Sequence, residues 1–187
     1  MVLLRCKLVV LGDAKVGKTA LINAFEGRAA FPKNYNMTDL ADLSVRTIPV
    51  PGTDATVELY IWDVSGHDFF EDSVSDLVSG FNAFVIACDS TQVQSFRNST
   101  KYLEILERSG GSNLQDTPSC LALTKSDLYS RQAVPMDEVS ALCNRHNMQL
   151  FQTSALEGSE CDSPFIFIAQ SFFRKYQEDV AEIQGVS

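Results

Sequence analysis

The segment Gly12-Asp13-Ala14-Lys15-Val16-Gly17-Lys18-Thr19 constrains this chain more than any other. It has the spacing of a phosphate-binding loop, with a Gly at each end of a tight turn and Lys-Ser/Thr entering a helix. Gly12 and Gly17 let the backbone turn where a Cβ would clash, so successive N–H groups can converge on one anion. Lys18 brings an ammonium to the outer phosphates, and the Thr19 hydroxyl can ligate Mg²⁺. The flanking residues agree with this reading. Arg5–Leu11 is a short β-branched apolar run that reads as a buried strand. Thr19–Phe25 carries Ala20, Leu21, Ala24 and Phe25 at helical spacing, which sets the loop on a helix N-terminus, where anions are favoured. A chance glycine-rich turn would not need strand before and helix after. The segment implies a nucleoside phosphate ligand.

A strand–loop–helix unit of this kind asks for more units beside it, and the chain supplies them. Leu43–Pro49 and Thr56–Asp63 are strand-like runs joined by a Pro-Gly-Thr-Asp turn and read as a hairpin after the loop candidate Ala29–Ala41. Ser75–Gly80 reads as a short helix, and Ala83–Asp89 as a buried strand. Gln94–Ser109 reads as a helix stopped by Gly110-Gly111, Ser119–Thr124 as a strand, Pro135–Asn147 as a helix and Leu150–Thr153 as the last strand. Ser163 and Pro164 then open a long helix running to about Gln184. The expected fold is α/β: a six-stranded, mostly parallel sheet with one antiparallel edge strand and helices on both faces. Its 187 residues suit one domain. Ligands of such sheets bind at the carboxyl ends of the strands.

Two further motifs stand at those ends. Asp63-Val64-Ser65-Gly66 follows the third strand. Asp63 can hold Mg²⁺ through a water, and Gly66 can offer a backbone N–H to a terminal phosphate. Thr124-Lys125-Ser126-Asp127 follows the fifth strand. A carboxylate accepts two parallel N–H bonds, and guanine presents N1–H and N2–H₂ side by side, so Asp127 is the expected guanine selector. The Lys125 stem can lie along the base face. Ser154-Ala155, after the last strand, can set a backbone N–H against the guanine carbonyl.

A net charge of −9 argues against nucleic acid as a partner and against attraction to an anionic membrane. Five scattered cysteines without a Cys-x-x-Cys pair read as buried reduced thiols. No signal peptide, myristoylation glycine or prenylation cysteine is expected, so any membrane encounter is expected to go through another protein rather than a direct lipid anchor.

The order of these motifs resembles the small GTPases of the Ras superfamily over nearly the whole chain, and within them the Rab-like GTPases of intraflagellar transport. The closer likeness lies in Leu4–Phe25, Tyr35-Asn36-Met37-Thr38, Ile48-Pro49-Val50-Pro51, Val57-Glu58-Leu59 and the tail from Ser163-Pro164-Phe165 to Phe173-Arg174-Lys175-Tyr176. The resemblance implies a three-layer P-loop NTPase, a Ras-like G domain over 1–187 with an extended C-terminal helix, and GTP/GDP and Mg²⁺ as cofactors. Residues 12–20, Gly12 through Ala20, would line the nucleotide. Thr38 would be the threonine that reaches both Mg²⁺ and the terminal phosphate, completing a metal set of Thr19, Thr38 and Asp63. Phe31 would pack against the guanine. Lys18, Thr38 and His67 would be the residues acting in hydrolysis.

Departures from the family pattern carry information. His67 stands where the family usually has a glutamine that orients the attacking water, and a shorter imidazole arm positions that water less well. Ala14 stands where the fastest members have Gly. Thr124 replaces the usual Asn, though its hydroxyl can still bond across to the phosphate loop, and Leu156 replaces a Lys after Ser154-Ala155. Slow intrinsic hydrolysis is the expectation.

In the last helix, Phe165, Ile166, Ile168, Ala169, Phe172, Phe173, Tyr176, Val180 and Ile183 recur at three- and four-residue spacing, with Phe167 off that stripe. The first half reads as core, while Tyr176, Val180 and Ile183 read as a partner surface. The resemblance names the small β-sandwich subunit of intraflagellar transport complex B, as a heterodimer within the larger transport complex. It implies a place in the cytoplasm, at the basal body and in the cilium or flagellum. A nucleotide-bound scaffold without switching, and an ordinary Rab-type vesicle-trafficking switch, are the alternatives.

Overall fold

The computed structural model describes residues 2–28, 37–67, 71–109 and 114–185. Six strands form one sheet: β1 (Val2–Leu11), β2 (Ala41–Pro49), β3 (Ala55–Val64), β4 (Ala83–Asp89), β5 (Ser119–Thr124) and β6 (Gln149–Gln152). Their order is β2-β3-β1-β4-β5-β6. Among the described residues only the β2–β3 strand pair is antiparallel, with Ala41 opposite Val64 and Pro49 opposite Thr56. The turn between them puts Gly52 at φ 75, a left-handed conformation that favours glycine.

Alternation along the strands divides the core. Leu8 and Val10 face α1 (Lys18–Phe25) and α6 (Ser163–Ile183), packing with Leu21, Phe165 and Ile168. Val9 and Leu11 face the other way, into a cluster with Val78, Leu106 and Val139. Those residues come from α2 (Glu71–Val78), α4 (Ser99–Arg108) and α5 (Met136–His146). Strands β4 and β5 are buried at every position, as parallel strands covered on both faces must be. Phe25 and Phe165 stack with centroids 4.2 Å apart, fastening α1 to α6.

The sequence reading needs four corrections. The helix expected over Gln94–Ser109 is two, α3 (Val93–Arg97) and α4, divided at Asn98. The Ser99 hydroxyl bonds back to the Phe96 carbonyl, and the Asn98 side chain is drawn to Asp13, so neither supports a continuous helix. Helix α2 begins earlier than expected and ends before Gly80, whose φ of 70 terminates it. The cap of α6 is Asp162 rather than Ser163, whose hydroxyl instead meets Glu160. Finally, Ile166 is exposed, whereas Phe167 turns inward onto Phe151, with centroids 5.7 Å apart. Gly110-Gly111 lies outside the described residues.

Lys7, on β1, reaches across to the end of α2. Its ammonium donates to the Leu77 and Ser79 carbonyls, both at 2.7 Å, and sits 5.0 Å from the centre of the Trp62 ring. Burial lowers the Lys7 pKa from its ordinary value. All five cysteines are buried thiols.

Candidate functional site

The carboxyl ends of β1, β3, β4, β5 and β6 meet at one rim, and the loops that leave them build the site. The first is the phosphate loop. A Cβ on Gly12 would lie 2.2 Å from the Ala87 carbonyl oxygen of β4, so no other residue lets the loop run this close to the sheet. Gly17 (φ 107) caps α1. Lys15, between them, holds φ 65, a left-handed conformation that side chains resist.

Lys18 is buried, and its ammonium donates to the Gly12 and Asp13 carbonyls, both at 2.8 Å. Burial lowers its pKa to about 8 against the opposing charges of Asp63 and Asp13. Asp13 points away from the loop interior: Tyr102 and Asn98 donate to its carboxylate at 2.9 and 2.8 Å.

On one side of the loop lies a hydroxyl and carboxylate cluster. Thr19 Oγ1 donates to Asp63 Oδ2 at 2.5 Å and lies 3.2 Å from Thr38 Oγ1. Asp63 is buried, and its Oδ1 has no hydrogen-bond partner in the structure. Burial raises the Asp63 pKa, opposed by Thr19 and Lys18. Two hydroxyls and a buried carboxylate with an unsatisfied oxygen form an all-oxygen donor set of the kind a hard, small cation takes, so these residues fit Mg²⁺. Among the described residues no group of three or more His, Cys, Asp or Glu offers another metal cluster.

Beside that cluster runs the segment after β3. The Ala14 N–H donates to the Gly66 carbonyl at 3.1 Å. A Cβ on Gly66 would fall 2.3 Å from the Asp13 carbonyl carbon and the Gly12 oxygen, so glycine alone permits this approach. His67 follows, half-buried. Phe31 lies outside the described residues.

On the other side of the loop opens a mostly apolar cavity of about 320 Å³, walled by Gly17 and Ala20 and, opposite, by Thr124, Lys125, Asp127, Ala155 and Leu156. Thr124 Oγ1 donates to Val16 O at 2.5 Å and lies 3.0 Å from Cys88 O, the crossing bond expected of it. Lys125 (φ 57) sends its ammonium to Lys15 O at 3.0 Å and to Asp89 Oδ2 at 2.6 Å. The buried Ser154 hydroxyl donates to Asp127 Oδ1 at 2.6 Å and so orients that carboxylate at the cavity wall. Leu156 is exposed at the rim.

Sequence reasoning missed Asp89, Asn98 and Tyr102. Asp89 ends an apolar strand, and an acidic residue closing a fully buried strand is the available signal. Nothing local distinguishes Asn98 or Tyr102, whose partners lie far away in the chain.

A flat aromatic base suits the apolar slot, and a polyphosphate suits the amide-lined loop beside it. Comparison with known proteins agrees. The model for the "Ras family" matches residues 7–174. The chain is 35% identical to the intraflagellar transport protein 27 homolog of Bos taurus, over 100% of both chains. It is 36% identical to that of Mus musculus, over 96% of each. Identity to intraflagellar transport protein 27 of Chlamydomonas reinhardtii is 31%, over 97% of this chain and 90% of that one. Fold, motif order and full-length similarity coincide: the chain belongs to the Ras family.

Proposed function

We propose that this chain is a GTP- and GDP-binding subunit of the intraflagellar transport machinery that hydrolyses GTP slowly. One observation carries the nucleotide reading: Asp127 and Gly17 of the phosphate loop wall the same cavity, and Lys125 of its far wall bonds the phosphate loop at the Lys15 carbonyl. In this reading Asp127 takes the guanine N–H groups, and Ala155 offers a backbone N–H to the guanine carbonyl. Residues 12–20 cradle the phosphates, with Lys18 shifting its ammonium from loop carbonyls to phosphate oxygens. Thr19, Thr38 and Asp63 hold Mg²⁺. When bound, the metal neutralises charge on the phosphate oxygens. Thr38 and Gly66 report the presence of the terminal phosphate, and its loss releases both.

Slow hydrolysis follows from His67 and Ala14. The Ala14 methyl sits where the phosphate loop meets the Gly66 segment, beside the bond between them. Replacing His67 by Gln (H67Q) should raise single-turnover GTP hydrolysis about tenfold or more, because a longer amide arm can orient the attacking water. A wild-type rate equal to that of H67Q overturns the argument.

The partner reading uses the outer half of α6. Tyr176 is 39% and Ile183 86% exposed, and a groove of about 430 Å³ runs between Val180 and Tyr176 of α6 and Val2 and Ala55 of the sheet. The small β-sandwich subunit of complex B is the occupant this reading assigns. The 187 residues act as one domain, in the cytoplasm, basal body and cilium or flagellum. His67 and Ala14 also favour a second reading, a scaffold whose nucleotide is never turned over. Partner affinity measured in the GTP and GDP states separates the two, since equal affinities mean that nucleotide shifts nothing.

A further inference from the structure

We propose that Asp89 is a positioning residue which, acting through Lys125, ties the base-recognising loop to the phosphate loop so that the two halves of the nucleotide site keep one geometry. The inference rests on the reading of this rim as a guanine-nucleotide site.

Asp89 is fully buried at the end of β4, directly opposite Thr124 in the parallel register. A buried carboxylate is costly unless every lone pair is answered. Here four donors answer it: Lys125 Nζ at 2.6 Å, Thr91 N at 2.9 Å, Thr91 Oγ1 at 2.7 Å and Gln92 Nε2 at 3.0 Å. Burial alone would push the carboxyl up; the Lys125 and Thr91 bonds more than offset it and hold the group below its ordinary value. Three of the donors come from the turn that Asp89 itself opens, so they fix the carboxylate in place. The fourth is the only one that leaves the turn, and it is the residue beneath the base.

Lys125 needs such a tether. Its backbone is left-handed, as is that of Lys15 on the phosphate loop, and its ammonium touches Asp89 and the Lys15 carbonyl together. Ser90, next to Asp89, donates its hydroxyl to the Lys125 carbonyl at 3.0 Å. Lys125 is thus held by the β4 turn at its ammonium and at its backbone carbonyl, while the ammonium also bonds the phosphate loop. Without the carboxylate, the ammonium has only a carbonyl to hold it, and the unfavourable conformations of Lys15 and Lys125 lose their shared restraint.

The test is a double-mutant cycle on the full chain loaded with a fluorescent GDP analogue and Mg²⁺, read as the dissociation rate. Asp89→Asn, which keeps size and burial, should release the nucleotide about ten- to hundredfold faster, the range for a charge-assisted hydrogen bond. Lys125→Met should do the same, and the pair together should be no worse than Lys125→Met alone within about twofold. The preference for GDP over ADP should fall in Asp89→Asn as well, because Lys125 and Asp127 share one loop. Additive effects, or an Asp89→Asn rate within about twofold of wild type, overturn the inference while leaving the guanine-nucleotide reading standing. Should Asp89→Asn fail to fold, an unchanged rate in Lys125→Met overturns it equally. A wild-type protein that binds no guanine nucleotide overturns the functional reading, and this inference with it.

Discussion

The two walls of the phosphate loop are built by different means. The base-side wall is cross-bonded: Thr124, Lys125, Asp89, Asp127 and Ser154 make short side-chain bonds to one another or to carbonyls of the phosphate loop. On the metal side, Thr38 meets Thr19 at 3.2 Å and reaches the Asp63 carboxylate, and Gly66 accepts a backbone bond from Ala14. A recognition surface gains selectivity from groups already fixed before the ligand arrives. A sensing surface must instead have little to break, since a ligand can shift an arrangement only by its differential affinity for the two states. The same loop serves both because Asp89 and Thr124 on the base side close β4 and β5, whereas Thr38 and Gly66 on the metal side lie outside the strands.

The widest test of this contrast is Asp127→Ala. Removing the carboxylate from the base-side wall should reduce the preference for GDP over ADP about a thousandfold, measured by competitive binding. A ratio that stays within tenfold of wild type would mean that selectivity does not reside there. Next come two threonines of the same type on opposite walls. Thr124→Ala loses the bond to Val16 O and should speed GDP dissociation about tenfold and lower stability by about 1 kcal/mol. Thr38→Ala should leave both within about twofold for GDP, because its 3.2 Å contact with Thr19 is exposed to solvent. Equal effects would erase the distinction between the walls.

A smaller effect comes from pH. Cys161 donates its thiol to the Ser154 carbonyl at 3.3 Å, behind the base-side wall. Burial, aided by the charges of Asp162 and Glu160, raises its pKa from the ordinary thiol value of 9.0 to about 11. The unfolded thiol therefore ionises first. The stability this thiol contributes is whole below pH 9 and declines as pH rises toward about 11, at no more than about 1.4 kcal/mol per pH unit for one proton. Cys161→Ala should flatten that part of the alkaline unfolding curve, followed by circular dichroism. An unchanged slope would assign the loss to other thiols.

Much of this was legible in residue order. The phosphate loop announces itself because glycine geometry, lysine and threonine must fall at fixed spacing, and the buried strands because covered parallel strands are apolar throughout. Asp63, Gly66 and Asp127 were readable as residues that follow strand ends, and the fold brings them to one rim. Asp89 was not, since its meaning lies in a lysine of the loop after β5. The division at Asn98 escaped for the same reason: helical periodicity runs through it, and the pull toward Asp13 is tertiary. Along α6 the three- and four-residue spacing marked an apolar stripe, but which of Ile166 and Phe167 faces inward depends on Phe151 of β6 waiting beneath.

Lys7 leaves α2 with unequal ends. Its far terminus is nailed to a central strand, whereas its near terminus follows the segment that carries Gly66 and His67. The far end of the helix is thus held by an ammonium clamp in addition to the buried Val74 and Val78, so removing the Lys7 charge loosens its last turn before its core face.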